Sequence, residues 1–334
     1  MPKRKVMKVR ICIVGNGLFA NKVHYPSLAS LHDVEIVGIC AFDEEKLGVT
    51  AKKFNIPTEN IYVSRSGSDY QKMLIDLCPD GVYVIGPPGQ MLDIWIWCLR
   101  NKFNLFIEKP MGLTLHHART LAHLAEENNC ITQVSHQRRS SPLLQKVREE
   151  CVKKGNITHA IVEFSKYDIV PMIGDRDRML DDYTHAVDTA RYICGGEVVE
   201  VESHCRRLMV PDINWIGAHL HFNNGSSCYV IGNWTSGRRM FRVNVHAPGI
   251  CGEVDLEKEG YVYADGDVNG VRYDTKEVAG SDELFVYGGF QRKSREFINS
   301  LFSGQEETSS PFRDALKTME VCETILAQAL IKGV

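Results

Sequence analysis

Two stretches of this 334-residue chain carry residue types at spacings that suit chemistry. The first is Gly15-Asn16-Gly17-Leu18-Phe19-Ala20. Glycine at its first position allows a tight turn, and glycine at its second lets the backbone come close to a pyrophosphate. A small third residue, here Ala20, lets a helix pack on a strand. A helix opening at this point offers free N–H groups and the positive end of its dipole to phosphate oxygens. The reading is a dinucleotide cradle; the alternative is a glycine turn with no ligand. The second stretch is Asp181-Asp-Tyr183-Thr-His185-Ala-Val-Asp188. Asp181 and His185 are four residues apart, so on a helix they share one face. Histidine titrates near neutral pH, which suits His185 to general acid–base work. Asp181 could orient His185 or bind a hydroxyl, and Asp188 follows near the same face. The spacing equally suits acids placed by a helix dipole and a histidine in the core.

A dinucleotide cradle calls for an acid that accepts from the ribose 2′-hydroxyl. Ligands bind beyond the carboxyl ends of the strands. Glu35 therefore lies at the wrong end of the second strand, and the candidates are Ala41, Phe42 and Asp43. Ala41 cannot accept a hydrogen bond. Asp43 can reach round and would repel a 2′-phosphate, while Phe42 could stack on adenine or simply pack. No arginine follows at once to hold a 2′-phosphate, although Lys46 is a turn away. The balance favours NAD over NADP.

The elements that would position these residues fall into two patterns. Residues 9–14 (VRICIV), 35–40, 81–85, 104–107 and 131–135 read as buried strands. They alternate with helical stretches at 25–31, 44–54, 91–102 and 114–128, the last capped by Thr114. Strands alternating with helices imply a parallel sheet with crossovers on both faces. After about residue 138 the pattern changes. Helices are expected at 142–153 and 183–193. Residues 197–279 are rich in β-branched and aromatic types, with turn signals at Asn223-Asn-Gly225, Ser236-Gly237, Asp265-Gly266 and Asn269-Gly270, and read as an antiparallel sheet. Helices at 290–301 and 313–330 close the chain. Two domains are expected, 1–138 and 139–334.

Composition narrows the class. Acids outnumber bases 42 to 39, which gives no pull toward nucleic acid or anionic lipid. Hydrophobic residues make up 44% and charged residues 24%, as in an ordinary globular protein. The 11 cysteines are scattered without CxxC spacing, so they read as buried, reduced thiols of a cytoplasmic protein. The apolar run at 11–14 is too short for a signal-peptide core or a membrane span. The Asn156, Asn224 and Asn233 sequons are read as chance. Lys3, Arg4, Lys5, Lys8 and Arg10 read as a solvated basic tail. His219-Leu-His221 puts two imidazoles on one face of a strand, but no third ligand stands at metal spacing, so an ordinary strand and no metal are expected. His116-His117 reads as the exposed start of a helix.

Glu108-Lys109-Pro110, which ends a strand about ninety residues after the glycine turn, is the most specific feature of the chain. With Gly86-Pro87-Pro88 before it, Gln137-Arg138-Arg139-x-x-Pro142 after it, and the DxxxHxxD stretch from Asp181 to Asp188, the chain resembles the Gfo/Idh/MocA oxidoreductases. The closing RDALKTMEVCETILAQA segment is similar too, so the resemblance covers essentially the whole chain. It implies an α/β Rossmann domain followed by an α+β domain with a large open, mainly antiparallel sheet. It also implies NAD(P) chemistry on a CH–OH carbon of a sugar, cyclitol or related polyol, and a homodimer or homotetramer built through the open sheet. Two departures stand out: Met91 where the family often has histidine, and the displaced ribose acid.

Removing a hydride from a carbinol carbon leaves alkoxide charge on its oxygen, which needs a cation nearby and a proton acceptor. Lys109 would support the alkoxide and His185 would carry the proton, with Asp181 beside it; which of Lys109 and His185 takes the proton stays open. The cofactor set is Gly15, Asn16, Gly17, Leu18, Phe19, Phe42, Asp43, Gly86, Pro87, Pro88, Met91, Glu108, Lys109 and Gln137. The substrate set is Lys109, Arg138, Asp181, Tyr183, His185, Trp234 and Arg238. Arg139 either joins them or braces the fold, and Arg239 and His246 could line a sugar pocket from the sheet. The expected function is an NAD(P)-dependent sugar or polyol oxidoreductase. Two rivals are a redox-neutral enzyme that cleaves glycosides with tightly held NAD, and an NAD(P)-sensing regulator without turnover.

Overall fold

The structure is a computed structural model that describes residues 8–172 and 177–333. Lys3, Arg4 and Lys5 of the basic tail lie outside the described residues. The chain divides into two compact units. The first runs through Ser135 and takes up Phe290–Asp314; the second comprises His136–Gly289 and resumes at Ala315.

In the first unit, β1 (Val9–Val14) is buried except at half-buried Arg10, as its apolar run from Ile11 to Val14 requires. A π-helical turn over Ala20–His24 leads into α1 (Tyr25–Ala29). Then come β2 (Val34–Ala41), α2 (Glu44–Phe54), β3 (Ile61–Val63), α3 (Asp69–Leu77), β4 (Gly81–Val84), α4 (Pro88–Arg100), β5 (Leu105–Ile107), α5 (Leu115–Glu127) and β6 (Thr132–Val134). Thr114 caps α5 by accepting from His117 N–H, as expected. The strands form one parallel sheet in the order β3-β2-β1-β4-β5-β6. Chain order reverses at β1, where the neighbours are β2 and β4, and a ligand crevice opens at such a switch point.

The stretch Phe290–Asp314, which the sequence assigns to the second domain, belongs to this unit. The reason is aromatic packing and edge pairing. Phe297, on the helix Phe290–Ser303, meets Tyr83 and Phe106 edge-on at 5.7 and 5.8 Å, and those two rings stack on each other at 4.2 Å. Beyond the helix, Ser310 O accepts from Val134 N–H at 2.9 Å and Thr308 Oγ1 donates to Thr132 O at 2.7 Å. That stretch covers the open edge of β6.

The second unit opens with α6 (Pro142–Val152) and β7 (His159–Tyr167). A π-helical turn over Met179–Tyr183 then leads into α7 (Thr184–Cys194). Its other strands are β8 (Val198–Arg206), β9 (Trp215–Phe222), β10 (Ser227–Asn233), β11 (Thr235–Ala247), β12 (Ile250–Asp255), β13 (Glu259–Ala264) and β14 (Val271–Asp274). The eight-stranded sheet has the order β14-β13-β12-β11-β7-β10-β9-β8. It is antiparallel except where β7 runs parallel to β10. Strand β7 was not expected, and it is the middle of the sheet. Ser236-Gly237 is not a turn: it lies inside β11, at a register shift between Thr235 and Met240. The chain instead crosses the end of β7 at Trp234, whose carbonyl accepts from Asp168 N–H at 2.8 Å.

Strand β9 alternates half-buried and buried residues along its length, the mark of a sheet with one covered face. The covered face packs Val162, Phe164, Val230 and Val243 against Leu143 and Val147 of α6 and Val187 and Ala190 of α7. The other face carries His159, Ile161, His219, His221 and Tyr229. No cysteine is bonded to another, and all but Cys78 and Cys251 are buried. Among the described residues no helix is long and apolar enough to cross a membrane.

Candidate active site

Val14, Val84 and Ile107 stand in register across β1, β4 and β5. The chain therefore leaves the sheet at one edge as Gly15, as Ile85-Gly86 and as Glu108-Lys109. Gly15 has φ +115°, and a Cβ there would stand 2.0 Å from Ile85 O; only glycine fits. At Gly17 a Cβ would meet nothing within 4 Å, so this backbone is open to close approach. Leu18 and Phe42 are largely exposed and Phe19 is nearly half exposed, while Ala20 is buried against the sheet as expected. Asn16 Oδ1 accepts from Asn21 Nδ2 at 2.7 Å and from Thr50 Oγ1 at 2.9 Å. Its own Nδ2 is a buried donor without a partner. An open backbone, a helix starting beside it and an unused donor suit the phosphates of a dinucleotide.

Asp43 caps α2: it accepts from Lys46 N–H at 3.0 Å and pairs with Lys46 Nζ at 2.7 Å. Those bonds to Lys46 hold its carboxyl below the usual range. Lys46, the one cation near a ribose 2′ position in the sequence reading, is thus engaged by Asp43. Pro87 and Pro88 start α4, where a missing N–H costs nothing. Met91, expected on the cofactor, is buried and lies against Gly86, where a Cβ would come 3.0 Å from its sulfur.

Glu108, also expected on the cofactor, is buried and accepts from His24 Nε2 at 2.8 Å. His24 is fully buried and ringed by Phe19, Tyr83, Phe106 and Phe290. In the sequence, the only signal for His24 is its position four residues after Ala20, on the same helical face. The pair ties the helix after the glycine turn to the residue before Lys109. Lys109 itself is half-buried, two residues beyond the end of β5.

In the second unit, Asp181 lies in the π-helical turn and His185 in the first turn of α7. His185 is buried, and its ring meets that of His136 edge-on at 6.4 Å. Asp188 does not join Asp181 and His185 in an open site. It is buried, held by Arg139 through Nε to Oδ2 at 2.7 Å and Nη2 to Oδ1 at 2.5 Å. His136 Nε2 stands 3.8 Å from it. Burial raises the Asp188 pKa, but Arg139, His136 and Arg191 outweigh it and bring it down to about 2. Arg139 therefore braces α7 from within this unit.

Two expected substrate residues are core residues. Tyr183 is fully buried and donates to Val230 O at 3.0 Å. Trp234 is 1% exposed and donates through Nε1 to Asp182 Oδ2 at 2.9 Å. Neither offers a face to a sugar, because the covered face of the sheet has taken both rings. Asp182 and Lys166 were missed: Lys166 Nζ donates to both oxygens of Asp182 at 2.7 and 2.6 Å. Asp182 lies inside the motif the sequence flagged, whereas Lys166 lies on the unexpected β7. Arg138 lies over Phe241 at 4.4 Å and Arg239 over Phe164 at 5.2 Å. Burial and the neighbouring Arg239 push the Arg138 pKa down to about 10. These two arginines share Glu257 as counter-ion. Gln137 is buried with its Oε1 unpaired. Arg238 lines a groove on the outward face with Ile161, Glu163 and Asn244. His246 is half-buried beside His159 at 6.0 Å on that face. Both are therefore on the opposite side of the sheet from α7, away from His185.

Comparison with known proteins adds the family. Its profile, an oxidoreductase family with an NAD-binding Rossmann fold, matches residues 9–136. The scyllo-inositol 2-dehydrogenase (NAD(+)) of Bacillus subtilis is 24% identical over 52% of this chain and 54% of its own. The D-glucoside 3-dehydrogenase of Escherichia coli is 23% identical over 68% of this chain and 62% of its own. The chain thus spans between about half and two thirds of the length of these curated relatives. A solved Gfo/Idh/MocA family oxidoreductase from Vibrio cholerae superposes with a TM-score of 0.83 at 18% identity, over 97% of this chain and 99% of that one. Residues 9–136, less than half of the chain, match the profile of the Gfo/Idh/MocA oxidoreductases with its NAD-binding Rossmann fold.

Proposed function

We propose that the protein is an NAD(P)-dependent oxidoreductase that moves a hydride to or from a CH–OH carbon of a sugar, glycoside or cyclitol. The observation that carries this reading is the shared edge of β1, β4 and β5. It groups the open glycine turn, Gly86 and the Glu108-Lys109 pair beyond the carboxyl ends of three adjacent strands. The curated relatives named for an inositol and a glucoside supply the substrate class.

The chemistry that a bound nicotinamide dinucleotide supplies is hydride transfer. Gly17 and the N–H groups that follow it hold the phosphates, and exposed Leu18 and Phe42 flank the adenosine. Asp43 accepts from the ribose 2′-hydroxyl and repels a 2′-phosphate, which favours NAD. On oxidation the carbinol carbon loses a hydride and its oxygen loses a proton. The Lys109 ammonium stabilises the alkoxide charge that develops, and the His185 imidazole takes the proton. Glu108 and His24 fix the backbone that carries Lys109; Arg139 and Asp188 fix the helix that carries His185.

The test is turnover of a polyol and glycoside panel with NAD and with NADP. Activity is expected with NAD, and His185→Ala should lower kcat by roughly 10²–10⁴-fold with nicotinamide dinucleotide binding intact. Near-normal turnover of His185→Ala across the pH range sinks its role. Dinucleotide binding with no absorbance change on any substrate, in either direction, sinks the enzyme reading.

A further inference from the structure

The outward face of the second unit's sheet gathers a side-chain cluster that the chemistry above does not use. Antiparallel pairing of β8 with β9 sets Glu202 opposite His219 and Glu200 opposite His221. On the other side of β9, Tyr229 of β10 stands opposite His219. One ligand atom from each of Glu202, His219 and His221 lies within 4.8 Å of the others. The two imidazole rings are 4.0 Å apart, and His219 stacks on Tyr229 at 4.1 Å with 10° between the planes. The stack fixes the plane of the His219 ring. Its Nε2 is buried and has no hydrogen-bond partner. A buried polar atom without a partner is costly, and in a native fold it calls for an explanation.

We propose that Glu202, His219 and His221 form a binding site for a divalent transition-metal ion, zinc foremost. Two imidazoles and a carboxylate match the ligand set zinc accepts, and they are poor partners for magnesium or calcium, which take oxygen ligands. Tetrahedral zinc at roughly 2.0–2.2 Å from each ligand sets ligand atoms roughly 3.4 Å apart, inside the 4.8 Å within which these atoms all lie. Glu202 is exposed and free to rotate inward, while the strands hold the two histidines. Three protein ligands leave the fourth position to water or to a group from outside the chain. The sequence hid this site because its third ligand comes from a neighbouring strand, many residues away from the His-x-His pair.

The test uses the whole chain, stripped with a chelator and titrated with zinc(II) against a chromophoric competitor at neutral pH. One zinc per chain is expected. His219→Ala and His221→Ala should each weaken binding by more than the roughly 10–100-fold that loss of an outer-shell partner costs, and Glu202→Gln should weaken it measurably. Cobalt(II) in place of zinc should give visible d–d bands of a low-coordinate N/O site, absent from both histidine variants. Far-UV dichroism checks that the variants, altered only at half-exposed sheet positions, keep the fold. No zinc bound by the wild type, or equal affinity in the His219→Ala/His221→Ala protein, overturns the proposal.

Discussion

Tyr183 and Trp234 have the side chains a sugar pocket uses, yet both are spent inside the second unit. Residue type made them candidates; the direction each ring takes depends on the sheet beneath it, and no motif spacing encodes that. Tyr183→Phe should therefore cost about 1 kcal/mol, the usual net worth of one internal hydrogen bond, read from denaturant midpoints, with KM for any substrate unchanged. A raised KM would return Tyr183 to the substrate. His24 is the reverse case, invisible in the sequence and central in the fold. Glu108 is its sole hydrogen-bond partner among the described residues, since His24 Nδ1 has none. Glu108→Leu leaves a buried imidazole with both nitrogens unpaired, and should cost about 1–3 kcal/mol. Glu108→Gln, which keeps an acceptor oxygen, should recover most of that. Equal midpoints for Glu108→Leu and wild type would remove the pair from the account of Lys109.

Elements were legible where their pattern was long or unbroken. The apolar run of β1 and the glycine that ends it read directly, and α2 and α6 began where expected. Strand β3, three half-buried residues at the sheet edge, carries too little periodicity to stand out. Strand β7 alternates cleanly, but its partners β10 and β11 lie about seventy residues on, and sequence patterning does not reveal pairing at that distance. Within the site, Gly15 was legible because backbone geometry demands glycine there, whereas Gly17 and the Glu108-Lys109 pair stood out by motif and resemblance. The Arg139–Asp188 contact was not, because it joins the turn before α6 to α7. That contact predicts acid behaviour. The Asp188 pKa falls from 3.8 unfolded to about 2 folded. Its stabilisation is therefore fully present above 3.8 and is lost as pH falls through the interval from 3.8 to about 2. The amount is roughly 2 kcal/mol. Unfolding curves across that interval should show the loss in the wild type. In Arg139→Met, overall stability should be lower and this acid-dependent step much reduced.

The whole molecule divides in a way that linear reading cannot supply. A boundary near residue 138 marks the change of pattern along the chain, but the first unit is completed only by Phe290–Asp314. Phe297 and the Thr308–Ser310 stretch answer a need of the first sheet: a cover for Tyr83 and Phe106, and a partner for the edge of β6. A fragment of residues 1–138 should therefore expose that aromatic face, bind a hydrophobic dye and aggregate. Burying a phenylalanine side chain is worth roughly 1.5–3 kcal/mol, and the edge bonds add to that. Supplying residues 290–314 as a peptide in trans, or by a linker, should suppress dye binding and sharpen the unfolding transition. A fragment 1–138 that unfolds cooperatively without them would contradict this division.

The same division sets an order of events on the ribosome. Residues 1–135 emerge first, but their sheet lacks its last helix and edge cover until everything between His136 and Gly289 has been made. At ordinary elongation rates that interval is on the order of ten seconds. Throughout it the nascent chain presents the Tyr83–Phe106 surface and a bare β6 edge while the second unit's sheet is being assembled behind it. The interval is a window for chaperone capture, and it closes when Phe290–Asp314 leaves the exit tunnel.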